Sequence, residues 1–266
     1  MRIKLPTLVW IMWLNKMKYM GGKFRQSPKI AEMVGKHIKS GMTYYEPFCG
    51  ALGAALKCVP VAEAHGACGI VLSDVSECLI TMWKASLSGW VPPATVSLET
   101  YKTMEKTRDP TNPLTAYCGF GLSFGGRYFE GLARDKKKRR NYALEAKKSI
   151  LQKTKMLQEV KIPVTIKHCD YREIRPIASL LYLDPPYANS TKAHDFDKFS
   201  YPEFWDYVRD LVAFDNIVLI TNFVAPKDFV RVFSWGDTTV RHHSSKGTDG
   251  TNESIFMHKS QVVKVK

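Results

Sequence analysis

The chain of 266 residues carries a formal net charge of +14, with 45% hydrophobic and 12% aromatic residues. That length suits one large α/β domain, or one domain with a substantial insertion, and the apolar share excludes a chain without a core. The excess of Lys and Arg makes polyanions the expected partners, although ribosomal, RNA-handling and DNA-handling proteins all share this balance.

Leu5–Leu14 is apolar but short and is broken by Pro6, which fits neither a signal peptide nor a membrane span. Residues 1–17 are therefore expected to be a dispensable extension and the least ordered part of the chain. Lys18–Arg25 (Lys-Tyr-Met-Gly-Gly-Lys-Phe-Arg) then sets two glycines beside Lys23, just ahead of an apolar helical repeat at Ile30, Ala31, Val34 and Ile38. Such a turn lets backbone approach a ligand, with Lys23 neutralising a carboxylate or phosphate; equally, it is a helix-leading turn with a solvated lysine.

Tyr44–Leu56 reads as a strand, a glycine turn and a helix start, the shape of a nucleotide-type cofactor site. It lacks G-x-G-x-x-G, so a dinucleotide is not the first choice. Gly69–Asp74 is the next strand. Asp74 at its end is placed to bind ribose hydroxyls or to cap the helix beginning near Ser76.

Composition shifts after Trp90. Residues 90–159 are short of strand-like runs, and Phe120–Gly131 interleaves aromatic rings with glycines. A basic run from Arg134 to Arg140 follows, then an amphipathic helix near Tyr142–Gln158. This region is expected to be an inserted, mainly helical recognition domain. Its basic residues, Arg127, Arg134, Lys136, Lys137, Lys138, Arg139 and Arg140, serve either as phosphate contacts or as a solvated face.

Strand-like runs then resume. Pro163–Asp170 ends on an acid, and Ser179–Tyr187 (Ser-Leu-Leu-Tyr-Leu-Asp-Pro-Pro-Tyr) is a buried strand stopped by two prolines that cannot donate ladder bonds. Phe199–Ala213 is an amphipathic helix and Asn216–Asn222 a buried strand. Thr238–His243 and Glu253–His258 flank a turn-rich loop and predict a final hairpin. The sum is a doubly wound α/β sheet of about seven strands, with the catalytic domain split between residues 18–89 and 160–266. The six cysteines contain no C-x-x-C pair and the seven histidines show no ligand spacing. No metal is expected, and the thiols suit a reducing cytoplasm.

Asp184-Pro185-Pro186-Tyr187 offers a carboxylate, adjacent carbonyls and a ring at the carboxyl end of a strand, where open α/β sheets bind ligands. A carboxylate and a carbonyl match a planar NH2 group. Accepting from both its protons draws the amine toward sp3 and localises its lone pair, while the carboxylate stabilises developing positive charge. Tyr187 would stack on the base, and a base inside a duplex must first be flipped out.

Asp-Pro-Pro-Tyr resembles the motif of S-adenosylmethionine (AdoMet)-dependent amino-methyltransferases acting on DNA. The order Gly-Gly-Lys, Glu-Pro-Phe-x-Gly, an insertion and then Asp-Pro-Pro-Tyr is similar to DNA adenine methyltransferases of the Dam type, over roughly Lys18 to Met257. The resemblance implies a Rossmann-like methyltransferase fold and cofactor contacts from Tyr19, Lys23, Phe48 and Gly50. It also implies Asp74 on the ribose, Asp170 near the cofactor adenine, and Asp184 touching both cofactor and target amine. The usual Phe-x-Gly-x-Gly is here Phe48-Cys-Gly-Ala-Leu-Gly53, with the second glycine displaced by one, and no Asn-Gly-Leu-x-Arg run is present.

The implied function is a site-specific DNA adenine-N6 methyltransferase, of the kind found in restriction-modification, acting on double-stranded DNA as a monomer or weak dimer, with no metal and no membrane. Cytosine-N4 or RNA methylation, and a catalytically silent DNA-binding homologue, are the alternatives. Asp184 stands where cytosine-N4 enzymes typically have Ser.

Overall fold

The computed structural model describes residues 17–135, 137, 139–187, 199–236 and 252–262. The expected extension 1–17 therefore lies outside the described residues, Met17 excepted.

Helix α1 (Ser27–His37) carries Pro28 in its first turn and buries Ile30, Ala31 and Val34. Strand β1 (Thr43–Glu46) alternates partly exposed with buried residues, so Tyr44 and Glu46 point inward. Helix α2 (Ala55–Ala64), strand β2 (Gly69–Asp74) and helix α3 (Glu77–Leu87) complete the first half of the sheet. After residue 90 come α4 (Leu98–Thr107), α5 (Pro113–Ala116) and α6 (Tyr142–Glu159). The second half holds β3 (Val164–His168), β4 (Leu180–Leu183), α7 (Tyr201–Ala213), β5 (Ile217–Asn222), β6 (Phe229–Ser234) and β7 (Ser254–His258).

These strands form one seven-stranded sheet in the order β3-β2-β1-β4-β5-β7-β6. The first five pair in parallel, and β7 runs antiparallel between β5 and β6. With helices on both faces, this is a doubly wound, Rossmann-like α/β sheet closed by an antiparallel pair.

The continuous apolar run of β4 has a direct cause. Leu180 and Tyr182 face one apolar layer while Leu181 and Leu183 face the other, and all four are fully buried. A central parallel strand covered on both faces leaves no position for a polar residue. Truncating Leu181 to Ala would cost about 2–5 kcal/mol by the usual scale of buried leucines.

The final antiparallel pair differs from the sequence expectation in one partner. β7 pairs with Phe229–Ser234, and Thr238–His243 lies outside the described residues. The run Phe-Val-Arg-Val-Phe-Ser is an edge strand with a register shift between Arg231 and Phe233, and only Phe229 is buried. A half-exposed edge leaves little hydrophobic signal to read.

Residues 90–159 are mainly helical, and their buried side chains join the main core rather than forming a separate one. Tyr101, Tyr117, Phe129, Ala146 and Ile150 belong to the same apolar cluster as Tyr44 and Leu72. The Tyr117 hydroxyl lies 2.7 Å from the carbonyls of both Pro93 and Ala143, which ties the two ends of the segment together.

Candidate active site

The sheet reverses its order of construction between β1 and β4, so their following loops part and leave a crevice at the carboxyl edge. A shallow cleft, open to solvent, occupies this point. Its walls are Tyr19 and Gly21–Lys23 before α1, Glu46 and Phe48–Ala54 (Leu52 excepted) after β1, and Asp184 after β4.

Glycines set how closely these segments pack. Gly50 has φ +46°, and a Cβ there would come within 2.8 Å of the Tyr19 ring. A Cβ on Gly53 would stand 2.9 Å from the backbone nitrogen of Lys23. The displaced second glycine therefore has a packing role: it admits the Gly-Gly-Lys turn against the loop after β1. On the opposite side, Gly126 (φ +72°) lies so near that its Cβ would meet the Tyr19 nitrogen at 2.5 Å, and its carbonyl accepts from Met20 N–H at 3.1 Å.

The loop after β1 is held from several directions. Gly50 N–H donates to Asp74 Oδ2 at 2.8 Å, and Ser76 N–H donates to Asp74 Oδ1 at 2.9 Å. Burial raises the Asp74 pKa, and these two donors oppose the shift. Trp83 Nε1–H donates to Gly50 O at 3.0 Å, and Lys153 Nζ from α6 donates to Ala51 O at 2.5 Å. Lys153 makes no ion pair among the described residues, and burial lowers its pKa to about 8.

Asp184 sits in a four-residue polar cluster. Lys23 Nζ stands 2.9 Å from Asp184 Oδ1 and 3.2 Å from Glu253 Oε1. The Tyr187 hydroxyl reaches Asp184 Oδ1 at 3.0 Å and Glu253 Oε1 at 2.7 Å. Among the described residues no hydrogen bond reaches Asp184 Oδ2. Burial raises the Asp184 pKa, with Lys23 pulling the other way; for Lys23 the two carboxylates outweigh burial and the pKa is raised. Glu46, at the end of β1, accepts from the Tyr44 hydroxyl at 2.8 Å, and burial pushes its pKa up to about 8.

The remaining sequence candidates divide. Tyr19, Lys23, Phe48, Gly50 and Asp184 line the cleft, and Asp74 lies behind it on the Gly50 amide. Pro186 accepts from the Tyr201 hydroxyl, and Tyr187 packs edge-on against Phe223 with ring centroids 4.9 Å apart. Asp170 is not part of the cleft wall. Its carboxylate caps the turn Tyr171–Glu173 and chelates Arg172 at 2.8 and 3.0 Å, which holds its pKa low.

Of the basic candidates, Arg140 is engaged by Glu145 at 2.5 Å and Arg127 lies 3.8 Å from Glu130. Arg134, Lys137 and Arg139 are exposed and make no ion pair among the described residues, while Lys136 and Lys138 lie outside them. Among the described residues no His/Cys/Asp/Glu group is arranged to hold a metal, and no helix is long and apolar enough to cross a membrane.

Sequence reasoning missed Glu253, Lys153 and Gly126 and gave Glu46 no role. Only Glu46 had a signal, being the acid of the quoted Glu-Pro-Phe run. The other three reach the site by packing from distant segments.

No family model matches the sequence, and no curated protein matches it. Among solved structures the chain is similar to the rRNA methyltransferase AviRa from Streptomyces viridochromogenes, at 11% sequence identity and a TM-score of 0.43, covering 90% of this chain and 86% of that one. It is also similar to TrmN from Thermus thermophilus, at 11% identity and a TM-score of 0.36, covering 86% of this chain and 48% of that one.

Proposed function

We propose that the protein is an AdoMet-dependent methyltransferase that modifies the N6 amine of adenine in double-stranded DNA. The observation that carries this reading is Asp184: one carboxylate oxygen is held by Lys23 and Tyr187, and the other takes no hydrogen bond among the described residues, beside the cleft at the β1–β4 crevice.

The residues lining the cleft fit the cofactor. A sulfonium bearing an adenosine and an amino acid is matched by a glycine-opened backbone, by the aromatic rings of Tyr19 and Phe48, and by the carboxyl groups of Asp184 and Glu46, the latter once a bound cation draws off its proton. When bound, the cofactor supplies an electrophilic methyl group. Asp184 accepts a hydrogen bond from the target amine, directs its lone pair, and stabilises the charge that develops on nitrogen. Pro185 and Pro186 lack N–H groups, so no backbone donor competes with the amine at the strand end. Lys23 and Tyr187 fix the Asp184 carboxylate, and orientation of this kind accounts for much of the rate in a direct transfer.

The net charge of +14 and the exposed Arg134, Lys137 and Arg139 support a nucleic-acid partner. Base modification inside a duplex requires flipping, which the open side of Asp184 would receive.

The test is incubation with AdoMet and plasmid DNA, and separately with RNA, followed by mapping of modified bases. N6-methyladenine in DNA at a fixed sequence is expected. Methylation confined to RNA or to cytosine-N4 would replace the substrate assignment, and no transfer to either would overturn the reading.

A further inference from the structure

Asp184 does not act alone, because Lys23 cancels it. Lys23 is 4% exposed and lies 2.9 Å from Asp184 Oδ1, a separation at which the two charges largely neutralise each other. A neutral ion pair attracts a developing cation poorly. Glu46 does not fill the gap in the resting site, since its raised pKa of about 8 keeps it protonated at neutral pH.

We propose that Glu253 is the second carboxylate of the amine site, a positioning residue that restores the negative charge Lys23 removes from Asp184. The inference rests on the methyltransferase reading above and adds a residue to it. Lys23, Asp184 and Glu253 have a formal sum of one negative charge, matched to the single positive charge of the reaction. As the N–C bond forms, the S–C electron pair passes to sulfur and that positive charge moves to the amine nitrogen. It then leaves as one N–H proton released to water.

The position of Glu253 is specified. It enters the cluster at the start of β7, where Oε1 accepts from the Tyr187 hydroxyl at 2.7 Å and Oε2 accepts from Gln26 Nε2 at 3.0 Å. Gln26 immediately precedes α1, so Glu253 ties the Lys23 segment to the opposite half of the sheet. Among the described residues, the charged or titratable groups facing the cluster are Lys23, Asp184, Tyr187, Tyr182, Tyr19, Glu46 and Asp74, and Lys23 is the only cation of these.

The two conservative variants separate charge from shape. Glu253→Gln keeps the length and an acceptor oxygen but removes the charge; Glu253→Asp keeps the charge but shortens the reach. The first measurement is calorimetric binding of AdoMet, whose sulfur is cationic, against S-adenosylhomocysteine, whose sulfur is neutral. The second is single-turnover transfer to plasmid DNA, with each variant checked for wild-type thermal unfolding.

Glu253→Gln is expected to lose about tenfold of the preference for AdoMet, and to lower the transfer rate about 10²-fold while KM for DNA stays within about threefold. Glu253→Asp is expected to recover part of both. Unchanged preference and rate in a folded Glu253→Gln, or a Gln variant that outperforms Asp, would overturn the charge role. If the wild type binds AdoMet but modifies no nucleic acid, the substrate assignment falls and the binding comparison still decides the role of Glu253. Failure of the wild type to bind AdoMet overturns both.

Discussion

The ammonium of Lys153 donates to the carbonyl of Ala51, a residue 102 positions earlier, and so pins the loop after β1 from helix α6. The lysine is 5% exposed and has no acidic partner among the described residues, so its charge is held at a cost. Lys153→Met is expected to weaken AdoMet binding about tenfold by releasing the loop. Its effect on stability depends on pH. The native pKa of about 8 lies below the usual 10.5, so above pH 8 the unfolded chain binds more protons, and the wild type gains stability as the pH rises toward 10.5. Relative to Lys153→Met, that gain should approach ~3 kcal/mol. Chemical denaturation of both proteins at pH 7 and pH 10 measures it.

Glu46 titrates in the opposite sense. Its pKa rises from 4.5 to about 8 on folding, so the native state holds a proton that the unfolded chain releases, and its contribution to stability is lost as the pH rises through that window. A bound sulfonium favours the ionised carboxylate. AdoMet affinity should therefore increase between about pH 6 and pH 9, and Glu46→Gln should flatten the curve. A calorimetric pH series would show this; an equally steep curve in Glu46→Gln would exclude Glu46 as its source.

Tyr187 combines a ring with an engaged hydroxyl. Read from the sequence, stacking needs only the ring, and Phe or Trp should replace it. The contacts of the hydroxyl with Asp184 and Glu253 give it a second role, in orienting the acceptor. Tyr187→Phe should lower the transfer rate about tenfold with little change in DNA affinity, and Tyr187→Ala should lose both. Rate and affinity measured separately distinguish these losses.

Gly126 joins the 90–159 segment to the wall of the β1–β4 cleft through Tyr19 and Met20. Gly126→Ala forces a Cβ to within 2.5 Å of the Tyr19 backbone at a positive φ, and neither atom belongs to a flexible side chain. A loss of about 1–3 kcal/mol of stability is expected, with weaker cofactor binding as the Tyr19 segment shifts. Gly125→Ala, where the nearest atom would be 3.9 Å away, provides the control for strain without the clash.

Arg134, Lys137 and Arg139 are exposed and outside any described ion pair. Neutralising all three should lower the salt dependence of DNA binding by about one unit of slope for each lost phosphate contact. An unchanged slope would assign the run to a solvated face. Arg140, already chelated by Glu145, should contribute less.

The inner strands β2, β4 and β5 were legible from the sequence because burial on both faces demands apolar runs, as at Leu180–Leu183, each closed by a polar residue at the ligand edge. The same logic marked Asp184, Gly50 and Lys23, since glycine turns and strand-end acids stand next to one another in the chain. The edge strand Phe229–Ser234 was not legible, because one buried phenylalanine makes no pattern.

Long-range pairing lay beyond the sequence altogether. Glu253 meets Lys23 and Tyr187 only because β7 inserts antiparallel beside β5. Lys153 meets Ala51 only because α6 packs over the loop after β1, and there it occupies a position that reads as an ordinary charge on an amphipathic helix. Local spacing determines which residues can carry chemistry; the charge balance among them is decided by which distant side chains share their low-dielectric surroundings.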